Sequence, residues 1–129
     1  ERHIADGRPC EDAWTVRHHT FRGEPWLILA VSDGAGTAGR AQAGSACAVA
    51  AFADAVVRCL STEHGMSEHV VRDCLGAARV ALAVEAGLAQ APIREFSCTL
   101  LAAVIGPGTA AFAQIGDGAI VIAGDEPGS

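Results

Sequence analysis

The sequence predicts an α+β fold with the element order β-β-α-α-β-β-β, on three observations. Two early segments carry strand patterns, "DAWTVRHH" (12–19) and "PWLILAVSD" (25–33). Two long segments rich in Ala and Val follow, with apolar residues at helical spacing. Three short apolar runs broken by Gly and Pro complete the chain. The 129 residues suffice for one domain with a hydrophobic core.

The first segment alternates polar and apolar residues, the period of a strand with one buried face. The second is apolar almost throughout, which suits a strand covered on both sides. "TFRGEP" between them holds the Gly and Pro of a hairpin-type connection. From Ala41 to about Leu60 the Ala, Val and Cys content and the spacing predict a helix. Gly65 separates it from a second helix over Ser67 to Gln90, with Val70, Val71, Leu75, Ala78 and Leu82 on one face. Pro92 ends that helix. "FSCTLLAAVIG" (96–106), "TAAFAQIG" (109–116) and "GAIVIAG" (118–124) read as three strands joined by turns.

Composition excludes several classes of partner. A net charge of −6, with no basic cluster, gives no electrostatic footprint for nucleic acid and disfavours anionic membranes. "LLAAVI" (100–105) is too short to span a bilayer, and Asp54 interrupts "CAVAAFADAVV". A soluble, cytoplasmic chain is expected. "ERHIADGRPC" has neither an initiator Met nor the apolar region of a signal peptide, so upstream residues are expected to have been removed. The five cysteines form no C-x-x-C pair, which argues for reduced thiols. Cys47, Cys59, Cys74 and Cys98 fall in apolar or helical segments as small core residues, and Cys10 stands apart. His18 and His19 are expected at the surface.

The stretch "VSDGAGTAGR" (31–40) spells G-x-G-x-x-G with Gly34, Gly36 and Gly39, the spacing of a dinucleotide phosphate loop. That loop needs a parallel strand ending in an acidic residue within about 30 residues. Two consecutive helices follow instead, and Asp54, at nearly the right distance, falls mid-helix. Asp33 would also oppose a pyrophosphate with its own charge. The glycines are better explained as a sharp turn from a buried strand into a helix.

Acidic residues gather at the strand ends: Glu11 and Asp12 before the first, Asp33 after the second, Asp117 between the last two. Taken singly, each is an ordinary turn residue. Together they make a donor set for a hard divalent cation, which takes carboxylates, backbone carbonyls and waters. Gly34 would let the main chain approach closely enough to offer a carbonyl.

Three stretches then resemble the metal-dependent Ser/Thr protein phosphatases of the PPM (PP2C) type, particularly a bacterial PP2C-like branch. They are "HIADGRPCEDAW" (3–14), "LAVSDGAGTAGRAQAG" (29–44) and "FSCTLLAAVIGPGTAAFAQIGDGAIVI" (96–122), in that family's order and over nearly the whole chain. The resemblance implies an α-β-β-α sandwich of two mainly antiparallel sheets flanked by helices, incomplete here. Residues 1–129 would be the N-terminal portion of a single phosphatase domain. The implied activity is hydrolysis of phosphoserine and phosphothreonine in proteins, through a water bridging Mn²⁺ or Mg²⁺ ions and without a phosphoenzyme. Asp33 would bridge two ions and Gly34 contribute its carbonyl oxygen. Glu11 would ligate one ion, Asp12 would ligate or orient metal-bound water, and Asp117 would serve an additional, weaker site. The implied partner is a phosphoprotein, a target of a Ser/Thr kinase.

The departures from that pattern carry expectations too. Arg8 stands one residue closer to the Glu11-Asp12 pair than the family's phosphate-binding Arg. His3 is a candidate general acid or phosphate contact, or a solvated residue near a chain end. Gly118 replaces the Ser that usually follows Asp117. The family's later Asp-Gly and Asp-Asn ligands do not occur before "GDEPGS". The chain is therefore expected to be short for full activity, with open sheet edges that favour self-association. The alternative is a non-catalytic phosphatase-like module that binds a partner.

Overall fold

The connection "TFRGEP" closes a hairpin. Strands β1 (Asp12–Phe21) and β2 (Glu24–Asp33) pair antiparallel over ten residues each, leaving only Arg22 and Gly23 as the turn. Both turn residues have positive φ, 55° and 78°, a geometry whose twist matches the strands it joins. Glycine adopts it freely, and Arg22 supplies the residue that does not. The computed structural model describes residues 12–34, 40–61, 67–96, 98–116 and 119–125.

After the hairpin come helices α1 (Ala41–Ser61) and α2 (Glu68–Ala89), a 3-10 turn (Ile93–Phe96), and strands β3 (Leu100–Gly106), β4 (Thr109–Gly116) and β5 (Ala119–Asp125). The predicted element order therefore holds. All five strands form one sheet in the order β1-β2-β3-β4-β5, and every neighbouring pair is antiparallel. A dinucleotide fold needs parallel strands around its glycine loop; β2 has none beside it. Residues 35–39 of that loop lie outside the described residues.

Both helices cover one face of the sheet. α1 lies over β1, β2 and β3, and α2 lies against α1 and over β4 and β5. Val49, Phe52, Ala53, Val56 and Leu60 of α1 recur at helical spacing and are buried, as are Val71, Cys74, Leu75 and Ala78 of α2. They meet the inward side chains of the sheet: Ile28 and Ala30, then Leu100, Ala102 and Val104, then Ala111 and Ala113. By length and composition alone, Gln42–Ser61 is apolar enough to cross a membrane. The sequence expectation treated Asp54 as the interruption that forbids this. In the fold, α1 buries its apolar stripe on the sheet, and Asp54 pairs with Arg17 of β1. It is a core helix with a charged outer side.

Capping residues set the limits of α2. Ser67 accepts a hydrogen bond from the Val70 N–H at the N-terminus. At the other end Gln90 turns left-handed with φ 54°, and the N–H groups of Gln90 and Ala91 donate to the Gly87 and Ala86 carbonyls. Pro92 follows and prevents continuation.

Two expectations need correction. The strand predicted from residue 96 begins at Leu100, because Pro92 starts a 3-10 turn in which the Glu95 N–H donates to the Pro92 carbonyl. Phe96 is buried at the end of that turn instead of in the pleat. His18 is exposed as expected, but His19 is half-buried: it lies on the inward-facing register of β1, with Nε2 covered and without a hydrogen-bond partner among the described residues.

The other face of the sheet is uncovered among the described residues. Trp14, Val16, Val31, Leu101 and Phe112 are exposed there, Trp14 by 72%. Register places them side by side, Trp14 opposite Val31 and Val31 opposite Leu101. One sheet with helices on a single face is half of the expected layered sandwich, and the alternating face is the one a second sheet would need.

Replacing Phe52, which is fully buried between helices and sheet, with Ala should cost about 3–5 kcal/mol. Urea unfolding followed by circular dichroism measures this.

Candidate metal centre

The alternation of β1 and β2 determines which side of the sheet each acidic side chain serves. Asp12 shares a register face with Trp14 and Val16, and Asp33 shares one with Val31. Asp12 and Asp33 are direct cross-strand partners at the open end of the hairpin. Two carboxylates thus stand opposite one another on the helix-free face, at the edge of its apolar surface. Side chains directly opposite in an antiparallel pair have Cβ atoms about 5 Å apart, where like charges repel.

The third strand fixes the Asp33 backbone. Thr99, just before β3, donates its N–H to the Asp33 carbonyl at 3.0 Å, and its Oγ1 accepts from the Asp33 N–H at 3.3 Å. Ser32 is fully buried on the inner face, and its Oγ donates to the Thr99 carbonyl at 2.5 Å. Gly34 continues the pairing through an antiparallel bridge to Cys98. Asp33 and Gly34 are therefore held at a fixed height beside Thr99, on a rigid strand end.

The start of α1 is tied to the same segment. The Arg40 N–H donates to the Glu95 carbonyl at 2.8 Å, and the Arg40 side chain reaches the Glu95 carboxylate and lies over the Phe96 ring. Gly44 lets the helix approach so closely that an added Cβ would fall 2.2 Å from the Phe96 carbonyl oxygen. The chain thus leaves β2 at Gly34 and re-enters beside residues 95–96, three to four positions before Thr99. The two anchor points frame the glycine-rich segment.

Of the residues predicted from sequence, the structure brings Asp12, Asp33 and Gly34 together. His3, Arg8, Glu11 and Asp117 lie outside the described residues. Gly116 and Ala119, which flank Asp117 in sequence, pair with each other at the same end of the sheet as Asp12 and Asp33. No cluster of three or more His, Cys, Asp or Glu side chains with metal-binding geometry occurs among the described residues. The two facing carboxylates suit a hard cation in their chemistry, which favours oxygen donors.

Sequence reasoning missed Ser32 and Thr99. The signal was present as a polar residue in each of two otherwise apolar strand segments, but only the register shows that they meet. Cys47, on the second turn of α1, was read as a core residue, but it is only half-buried and stands outside the core cluster, as Cys98 does. Burial first, then the Glu85 carboxylate and Cys98, push its thiol up from its ordinary value. It stays protonated at neutral pH and is a poor nucleophile there.

A family model described as Protein phosphatase 2C matches residues 1–128. A curated relative, serine/threonine-protein phosphatase 3 of Escherichia coli (strain K12), is 30% identical over 122 residues, covering 93% of this chain and 48% of the relative. The chain spans about half the length of this relative.

Gly44→Ala should destabilise the chain by about 1–3 kcal/mol, because the added methyl meets backbone that cannot swing aside. Ser32→Ala should cost about 1 kcal/mol through the lost bond to Thr99. Denaturant titration of each variant measures both.

Proposed function

We propose, for a chain that belongs to the protein phosphatase 2C family, that the Asp12 and Asp33 carboxylates hold divalent cations for hydrolysis of phosphoserine and phosphothreonine in proteins. The observation that carries this is the register: Asp12 and Asp33 are cross-strand partners on the helix-free face. Two carboxylates set opposite one another offer oxygen donors of the kind a hard divalent cation takes. Ligation by Mn²⁺ or Mg²⁺ fits the donor chemistry, with the Gly34 carbonyl and Glu11 as further ligands and Asp117 at an additional site.

Such a cation, when bound, acidifies a coordinated water and neutralises phosphoryl oxygens. The remaining work falls to the chain itself. Thr99 and Ser32 keep the Asp33 main chain from shifting as charge is bound. The Arg40 and Gly44 contacts hold the far end of the glycine-rich segment. His3 as general acid and Arg8 as phosphate contact complete the proposal, with a phosphorylated protein, the product of a Ser/Thr kinase, as substrate. A cytoplasmic location belongs to the same proposal. So does a two-sheet domain, in which the apolar face bearing Trp14, Val31 and Leu101 packs on a second sheet.

In a protein carrying this chain as part of a whole domain, Asp33→Asn should lower Mn²⁺-dependent hydrolysis of an aryl phosphate by about 10²-fold or more. Undiminished activity would exclude the carboxylate mechanism. No hydrolysis by the unaltered protein with either metal would favour the non-catalytic binding module.

Metal binding has its own readout. Asp12→Asn removes one carboxylate of the cross-strand pair. Mn²⁺ should then raise the melting midpoint of the unaltered chain and leave that of the variant nearly unchanged. Differential scanning calorimetry with and without Mn²⁺ reads both effects.

A further inference from the structure

The helix pair holds two thiols that nothing in the phosphatase chemistry uses. Cys59 lies in the last turn of α1 and Cys74 in the second turn of α2, and their Sγ atoms are 3.8 Å apart. Cys74 is buried in the core between the helices, while Cys59 is only partly covered. Both sit at the end of α1 opposite to Arg40 and Gly44, about 20 Å or more along the helix at 1.5 Å per residue.

We propose that Cys59 and Cys74 are an oxidisable pair, which a hydroperoxide converts into a disulfide that ties α1 to α2. Cys59, the accessible member, attacks the O–O bond; its sulfur takes one oxygen as sulfenic acid and water or an alcohol leaves. Cys74 then attacks that sulfur, the S–S bond forms, and the expelled hydroxide leaves as water with the Cys74 thiol proton. Two thiols lose two electrons and two protons, and the hydroperoxide is reduced by the same two electrons. The order of events follows from environment. Burial first, then the proximity of Cys59, hold the Cys74 thiol protonated, up to about 12, so it does not attack peroxide first. Bringing the sulfurs from 3.8 Å to bonding distance needs a shift of under 2 Å between helices.

A bridge here closes a loop of roughly 15 residues, which restricts the unfolded chain and leaves the carboxylate end of the sheet untouched. The proposed crosslink therefore acts on stability and stands independently of the phosphatase function. All nine basic residues of the chain are arginines, and cleavage after Arg58, Arg72 and Arg79 puts the two cysteines on separate tryptic peptides.

The full chain is reduced, freed of thiol, treated with hydrogen peroxide, alkylated with N-ethylmaleimide and digested with trypsin for mass spectrometry. The expected product joins peptide 59–72 to peptide 73–79, lighter by two hydrogens than the reduced pair, and disappears with dithiothreitol. The oxidised chain should melt on the order of 10 °C above the reduced one, and Cys59→Ser should abolish that difference. Full alkylation of both thiols after peroxide, bridges to Cys47 or Cys98 in their place, or a melting difference that persists in Cys59→Ser would each overturn the proposal.

Discussion

The pairing register of β1 with β2 is the constraint on which the rest of the molecule depends. A turn of two residues, both at positive φ, leaves no slack, and ten consecutive pairs run from Phe21 opposite Glu24 to Asp12 opposite Asp33. A slip of one residue would turn every β1 side chain to the other face. Asp12 would then face the helices, Trp14 would enter the core, and Arg17 would lose Asp54. The two-residue turn, rather than the apolar pattern of β1, opposes that slip, since Trp14 and Val16 lie on the exposed face while Arg17 and His19 point inward. Arg17 and Asp54 add little energy, of the order expected for a partly exposed ion pair, but they identify the correct face of β1.

From this register the molecule acquires two unlike faces. The inner face is closed by a helix pair whose buried residues repeat at helical spacing, and the core they form leaves Ser32 and Ser45 as its buried polar residues. Ser32 is put to use at 2.5 Å from the Thr99 carbonyl. That single bond connects the two faces: a hydroxyl on the helix side fixes the segment that hydrogen-bonds the Asp33 backbone on the other. The Gly44 and Phe96 contact acts in the same way from the helix, since only a residue without Cβ allows so close an approach. Precision at Asp33 thus comes from core packing.

Much of this was legible in the sequence, and the reasons differ by element. The helices and strands follow from periodicity that spans many residues and tolerates local exceptions. The C-terminal end of α2 follows from Pro92, whose effect is local. Asp33 and Gly34 were legible as a pair because strand, carboxylate and glycine are adjacent in sequence. What escaped depended on contacts between distant residues. His19 looks like His18 until the register assigns it to the inner face, and Phe96 looks like the start of a strand until it is needed beneath α1. The Ser32–Thr99 link joins residues 67 positions apart. The glycine spacing misleads for the converse reason: G-x-G-x-x-G is a local pattern, and the antiparallel neighbours of β2 decide against it.

The carboxylate pair and the exposed apolar surface share one face, and this conjunction has a physical consequence. Trp14 and Val31 occupy the next pair inward on that face from Asp12 and Asp33. Any layer that covers Trp14, Val31 and Leu101 ends beside the carboxylates and lowers the dielectric around them. A lower dielectric strengthens every electrostatic interaction these carboxylates make. Hydrophobic burial on this face and the electrostatics at its edge are then coupled, because both act through the alternation of the same two strands.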